Sequence, residues 1–256
     1  MKRPDRTGAV AIARSHPRGD APAHKRHLAS TWAVQPGLVS PPSCLPPVGV
    51  SMTNPALFIA IEGLDGSGGT TQVRLLAEWL TARSVPVQCT REPTDGPVGR
   101  LIRRALSPQD PAAVLGDTVL PYLFAADRRD HLDRLVLPQL QAGITVVTDR
   151  YVPSSLAYQG LSIGVEAALE LNAGFRAPDL TVVLEVSPEE CMRRIAARGD
   201  TLERFEDLDR LTAIRTCYAS GLARLEARGD LILRVDGARP VHEVADRIRA
   251  AVAQLR

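Results

Sequence analysis

The run Gly63-Leu64-Asp65-Gly66-Ser67-Gly68-Gly69-Thr70-Thr71 follows an apolar stretch, Leu57-Phe58-Ile59-Ala60-Ile61, and precedes an amphipathic one. Strand, glycine loop and helix form the setting in which backbone N–H groups and a helix N-terminus cradle phosphate without any side chain. The spacing matches G-x-x-x-x-G-K-[ST] at every fixed position but one, because Gly69 stands where the lysine belongs. The only lysines in the chain are Lys2 and Lys25. Positive charge at a phosphate here must therefore come from arginine. Thr70 has the position and hydroxyl to ligate a Mg²⁺ ion bridging nucleotide phosphates. Read structurally, the same run is a tight turn using glycine for positive φ.

Other residues could share that chemistry. Asp149-Arg150-Tyr151 follows an apolar run. An acid at a strand end can organise Mg²⁺, directly or through water, and an arginine beside it can hold a phosphate bidentately. Phe124 and Arg128 are four apart and share a helix face, so a ring could stack on a base while the guanidinium holds its carbonyl or phosphate. Alone, that pair reads as a core phenylalanine with a solvated arginine. Ser155, Tyr158, Gln159 and Gly160 could line the same pocket and serve equally well in turns. Arg193, Arg194, Arg198, Arg204 and Glu206 cluster around a polar break, Gly199-Asp200. A mobile arginine segment suits phosphoryl transfer, where an arginine finger is worth about 10³–10⁵ in rate. Alone, the cluster reads as a solvated helix end.

These residues need a frame. Candidate strands lie at 57–62, 85–90, 144–149, 180–186 and 231–235, and helical patterns at 71–83, 98–106, 118–141, 165–173, 188–197, 208–228 and 240–254. Strands apolar throughout suit a parallel sheet covered on both faces. Their alternation with helices predicts a doubly wound α/β fold of five parallel strands, P-loop in type. Ligands of such sheets bind at the strands' carboxyl ends, where several of these motifs fall.

The chain has 256 residues and a formal net charge of +2, which gives no argument for a nucleic-acid partner. No apolar run approaches the roughly 18–20 residues that span a bilayer. Cys44, Cys89, Cys191 and Cys217 are dispersed, as in a reduced cytoplasmic protein. Residues 1–51 are rich in Arg, Pro, Ser and His without sustained period, and are expected to be disordered. Met52 lies just before the first strand, so the upstream stretch reads as a dispensable extension or a mis-assigned start, with the domain at 52–256.

The motifs together resemble the bacterial thymidylate kinases over 52–256. The resemblance is carried by Glu62-Gly63-Leu64-Asp65-Gly66-Ser67-Gly68, Thr90-Arg91-Glu92-Pro93 and Leu123-Phe124-Ala125-Ala126-Asp127-Arg128. It continues through Asp149-Arg150-Tyr151, Ala157-Tyr158-Gln159-Gly160, Ala177-Pro178-Asp179-Leu180 and Ala197-Arg198-Gly199-Asp200. It implies ATP- and Mg²⁺-dependent phosphorylation of dTMP to dTDP, usually by a homodimer, with an arginine-bearing lid over the sheet. By family position Phe124 would stack on thymine and Arg128 would contact its exocyclic carbonyl. Arg150 would hold the acceptor 5′-phosphate, and Asp65 would approach the sugar 3′-hydroxyl or that phosphate. Ser155 occupies a base-contact position, Tyr158 would pack on the deoxyribose, and Thr70 with Asp149 would serve the metal. Some family members carry a catalytic arginine inside the glycine loop and others in the lid. With Gly66 at the loop position, this chain resembles the lid type, with Arg198 and Arg204 as candidates.

Gly69 departs from that pattern. Losing one preorganised donor could cost on the order of 10²–10³ in kcat. Two outcomes follow: Arg198, Arg204 or Arg150 occupies the vacated space and the enzyme works, or the chain is a silent nucleotide-binding protein. A kinase for another monophosphate is the remaining alternative.

Overall fold

The computed structural model describes residues 55–107, 109–198 and 207–256; the expected disorder of 1–51 and the lid residue Arg204 lie outside them, as does the side chain of Arg198. Five strands form one parallel sheet: β1 (Phe58–Gly63), β2 (Val87–Arg91), β3 (Thr145–Asp149), β4 (Leu180–Glu185) and β5 (Ile232–Asp236). Their spatial order is β2-β3-β1-β4-β5. The strand that leads into the glycine loop is therefore central, flanked by β3 and β4.

All six residues of β1 are buried. Alternation along the strand divides them between the two faces of the sheet. Ile59 and Ile61 pack with Leu76 and Leu80 of α1 (Gly69–Thr81) and with Val244 and Ile248 of α10 (Val241–Gln254). Phe58 and Ala60 pack on the other side with Val146, Leu132, Tyr151 and Leu156. Each fully buried Leu, Ile or Phe stabilises by roughly 1.5–3 kcal/mol. This explains why β1 reads as a continuous apolar run.

The remaining helices are α2 (Pro97–Leu106), α3 (Leu120–His131), α4 (Leu137–Gln141), α5 (Val152–Tyr158), α6 (Gly160–Ile163), α7 (Val165–Asn172), α8 (Pro188–Arg198) and α9 (Leu208–Ala227). The single helix expected at 118–141 is interrupted. A π-helical turn, Leu132–Val136, joins α3 to α4. Pro138 has no N–H to give the carbonyl four residues earlier, and the wider turn just upstream absorbs the mismatch. Helices α5 and α6 were not expected. Pro153, Gly160 and Gly164 punctuate that stretch into pieces too short to show a helical period. Ser155 and Tyr158 consequently stand on a helix rather than in a turn.

Candidate active site

The glycine loop, the ends of β2 and β3, and the first turn of α8 enclose a cleft of about 1000 Å³. Gly66 and Gly68 adopt φ of +83° and +100°, which only glycine adopts without strain. A Cβ on Gly66 would stand 2.6 Å from the Cys191 carbonyl of α8. No side chain fits there, so an arginine inside the loop is excluded by close approach as well as by sequence.

Gly69 has no positive φ. A Cβ at this position would lie 3.1 Å from Asp149 Oδ1, with Ile61 the next nearest residue. The space beside the missing lysine's backbone is thus held by a carboxylate. Thr70 Oγ1 donates to Asp149 Oδ2 at 2.5 Å. A hydroxyl and one carboxylate facing a phosphate-binding loop are hard oxygen donors, the set that Mg²⁺ takes alongside substrate phosphates. Thr70 and Asp149 therefore fit the metal expected of them.

Arg150 reaches the other end of the loop. Its φ of +73° is a left-handed conformation rare outside glycine. Its Nη1 donates to the Gly63 carbonyl and to Ser154 Oγ, both at 3.0 Å. Its Nη2 pairs with Asp65 Oδ1 at 2.5 Å. The Tyr158 ring lies 5.0 Å beneath the guanidinium, and the Tyr158 hydroxyl donates to Asp65 Oδ2 at 2.9 Å. Burial opposes the charge on Arg150, but Tyr158, Asp65, Tyr218 and Asp149 outweigh it and hold its pKa above the ordinary value. Asp65, Arg150 and Tyr158, widely spaced in sequence, are one cluster.

Arg128 is not a solvated arginine. It is 1% exposed and lies behind the cleft wall. Its Nε and Nη2 donate to Glu92 Oε2 at 2.9 and 2.7 Å. Its Nη1 donates to Ser155 Oγ at 3.0 Å and also to Asn172 Oδ1. Of five N–H groups, one on Nη2 is left without a partner in this set. Glu92 Oε1 meets His131 Nδ1 at 3.0 Å, and Asp127 accepts from the Thr94 amide and hydroxyl at 2.7 and 2.6 Å. These contacts fix the loop after β2 against α3. Phe124 is half-buried on α3 and does not line the cleft. Gln159 is buried and borders a separate cavity of about 80 Å³ with Tyr158 and Leu120.

The glycine loop, the Thr70–Asp149 pair and Arg150 converge at the carboxyl ends of β1 and β3. The sequence model of thymidylate kinase matches residues 61–248. The chain belongs to the thymidylate kinase family. A protein of Pyrobaculum calidifontis described as "Probable thymidylate kinase" is 42% identical over 201 residues, covering 77% of this chain and 95% of the relative. The thymidylate kinase of Dinoroseobacter shibae is 43% identical over 201 residues, 76% of this chain and 95% of the relative. That of Symbiobacterium thermophilum is 39% identical over 210 residues, 78% and 94% respectively.

Within this family fold, sequence reasoning missed Tyr218 and the contacts of residues it had named. Glu62, which opens the glycine-loop motif, meets Tyr218 across 156 positions, and nothing local marks that partnership. Arg194 was named in the arginine cluster around Gly199-Asp200, without a contact of its own. Its guanidinium donates to the Ser67 carbonyl at 3.3 Å and the Gly237 carbonyl at 3.0 Å, on the rim of the cleft. Its membership of that cluster was the signal in the sequence. No helix among the described residues is long and apolar enough to cross a membrane.

Proposed function

We propose that this chain transfers the γ-phosphoryl group of ATP to dTMP, giving ADP and dTDP. The observation that carries the reading is the junction at one cleft of a phosphate loop, the Thr70–Asp149 pair and the Arg150–Asp65–Tyr158 cluster. The loop amides and the N-terminus of α1 take the donor phosphates. Arg150 takes the acceptor phosphate, exchanging Asp65 for it, and Asp65 is released toward the sugar hydroxyl. The second pKa of a phosphate monoester is about 6, so the attacking oxygen is already ionised at neutral pH and needs no general base. That oxygen forms a bond to the γ-phosphorus as the bond to the β–γ bridging oxygen breaks, leaving the electron pair on ADP. Thr70 and Asp149 would hold Mg²⁺, which when bound would neutralise charge on the phosphates. Arg198 and Arg204 supply the lid charge.

Arg128 bears on the choice of base. Its one remaining N–H can only donate, so the group facing it must accept. The 4-carbonyl of thymine does, and the 4-amino group of cytosine does not. A base reaches that N–H only after the covering side chains move. Ser155 holds the guanidinium; the same movement would bring Phe124, outside the cleft in this structure, to stack on the base, and Tyr158 with Gln159 to flank the sugar.

In this reading residues 52–256 form the kinase domain, residues 1–51 are dispensable, and the protein is cytoplasmic. It pairs as a homodimer through the α2–α3 region, where Leu101, Val119 and Tyr122 are exposed. The deciding experiment is a coupled ADP-release assay with Mg²⁺-ATP and dTMP, dUMP, dCMP, AMP or no acceptor. Turnover of about 1 s⁻¹ or faster selective for dTMP is expected. ATP binding by a folded sample without acceptor-dependent turnover would replace this reading with a silent nucleotide-binding protein.

A further inference from the structure

Helix α5 begins two residues after Arg150, with Tyr151 as its N-cap, and its first turn has orphan N–H groups that no local side chain caps. A distant residue supplies the cap. Glu62, at the end of β1, accepts from the Tyr151 amide at 2.7 Å and the Ser154 amide at 3.3 Å through Oε1. Its Oε2 accepts from Ser154 Oγ at 2.6 Å and the Tyr218 hydroxyl at 2.8 Å. The Tyr218 hydroxyl also lies 3.1 Å from the Gly63 carbonyl and 2.8 Å from Ser154 Oγ. Gly63 O and Ser154 Oγ are the two acceptors that fix Arg150 Nη1.

Glu62, Ser154, Tyr218 and the Gly63 carbonyl thus close a buried ring around the root of the Arg150 guanidinium. Tyr218 comes from α9, and its reach depends on how closely α9 sits on α5. A Cβ on Gly221, one turn further along α9, would stand 2.8 Å from Leu156 Cβ. Glycine permits the approach, and the approach delivers the phenol.

We infer that Tyr218 and Glu62 are positioning residues for Arg150: they hold its left-handed turn and the first carbonyl of the glycine loop in one frame, so the acceptor phosphate meets a preset fork. This rests on the assignment of Arg150 to the acceptor phosphate. Without the phenol, Glu62 stays buried with one donor fewer and the Arg150 turn loses its tie to α9.

The test is a double-mutant cycle on the full chain, read by calorimetric titration of dTMP so that turnover is not needed. Tyr218→Phe should raise the dTMP Kd about tenfold, the size of one buried hydrogen bond to a charged group. In an Arg150→Lys background, where the fork is gone, the same change should cost less than about twofold. Ser154→Ala, which removes the hydroxyl between them, gives a second cycle with the same expectation should Tyr218→Phe fold poorly. Equal factors in both backgrounds, or a lowered melting temperature with unchanged Kd, would overturn the inference by making the contact merely structural. A coupled cycle in a protein that binds dTMP without turning it over would support the inference and refute the kinase reading alone.

Discussion

Gly69→Lys is the most informative single perturbation of this chain, because it restores the one missing element of the phosphate loop. If the site were simply vacant, a restored donor would raise kcat on the order of 10²–10³-fold. The geometry argues otherwise. The new Cβ would lie 3.1 Å from Asp149 Oδ1, a few tenths of an ångström inside ordinary contact. Asp149 cannot yield freely, since its other oxygen is held by Thr70 at 2.5 Å. Displacements of about 1 Å at a reacting site cost around 10²-fold, so a shift a third as large should cost a few-fold. The ammonium would also pair with Asp149, an attraction of about 4 kcal/mol at 4 Å and an effective dielectric of 20, competing with the metal for that carboxylate. Turnover is therefore expected to be unchanged or lowered by up to about tenfold. Gly69→Ala separates the two effects, adding the Cβ without charge, and its loss should be the smaller. Removing a helix glycine is itself worth about 0.5–1 kcal/mol, so neither loss should come from instability. ADP release with dTMP at saturating Mg²⁺-ATP is the assay. A gain of a hundredfold in Gly69→Lys would refute the reasoning and show the space to be empty.

Arg150→Ala should lower kcat/KM for dTMP on the order of 10³-fold or more, and a variant that keeps most of its turnover would end the acceptor-phosphate assignment. Asp149→Asn should raise the Mg²⁺ concentration needed for half-maximal turnover by about 10–100-fold, and an unchanged metal titration would remove Asp149 from the metal site. Burial raises the pKa of the Tyr151, Tyr158 and Tyr218 phenols above their ordinary value. The folded state holds those protons more tightly than the unfolded chain, so the stability they contribute is complete below about pH 10 and is lost as pH rises through the raised values. Urea midpoints should therefore fall steeply above about pH 10, and a flat midpoint to pH 11 would contradict the burial of these hydroxyls.

Much of this architecture was legible in the sequence because its signals are local. The apolar run before the glycine loop, the alternation of strands and helices, and the 149–151 triplet each announce themselves within a few residues. The partners of Arg128 did not. Glu92, Ser155 and Asn172 stand 36, 27 and 44 positions away, and a guanidinium on a polar helix face reads as solvated until tertiary packing buries it. Tyr218 was hidden for the same reason, sitting in a helical pattern where an aromatic reads as core. The broken helix at 132–136 was missed because Pro138 alone does not tell a kink from an end. The closeness of Asp149 to Gly69 was not legible, because the backbone geometry that brings them together has no counterpart in sequence.

The central place of β1 has a consequence for how this protein gains and loses its site. The strand shares hydrogen bonds with β3 on one side and β4 on the other, and its side chains feed packing on both faces. Freeing it means splitting the sheet in two, so the strand that anchors the phosphate loop persists until the domain as a whole unfolds, even where the loop itself opens locally. Occupancy by nucleotide should then act on the entire cooperative unit, converting binding free energy into resistance to global unfolding.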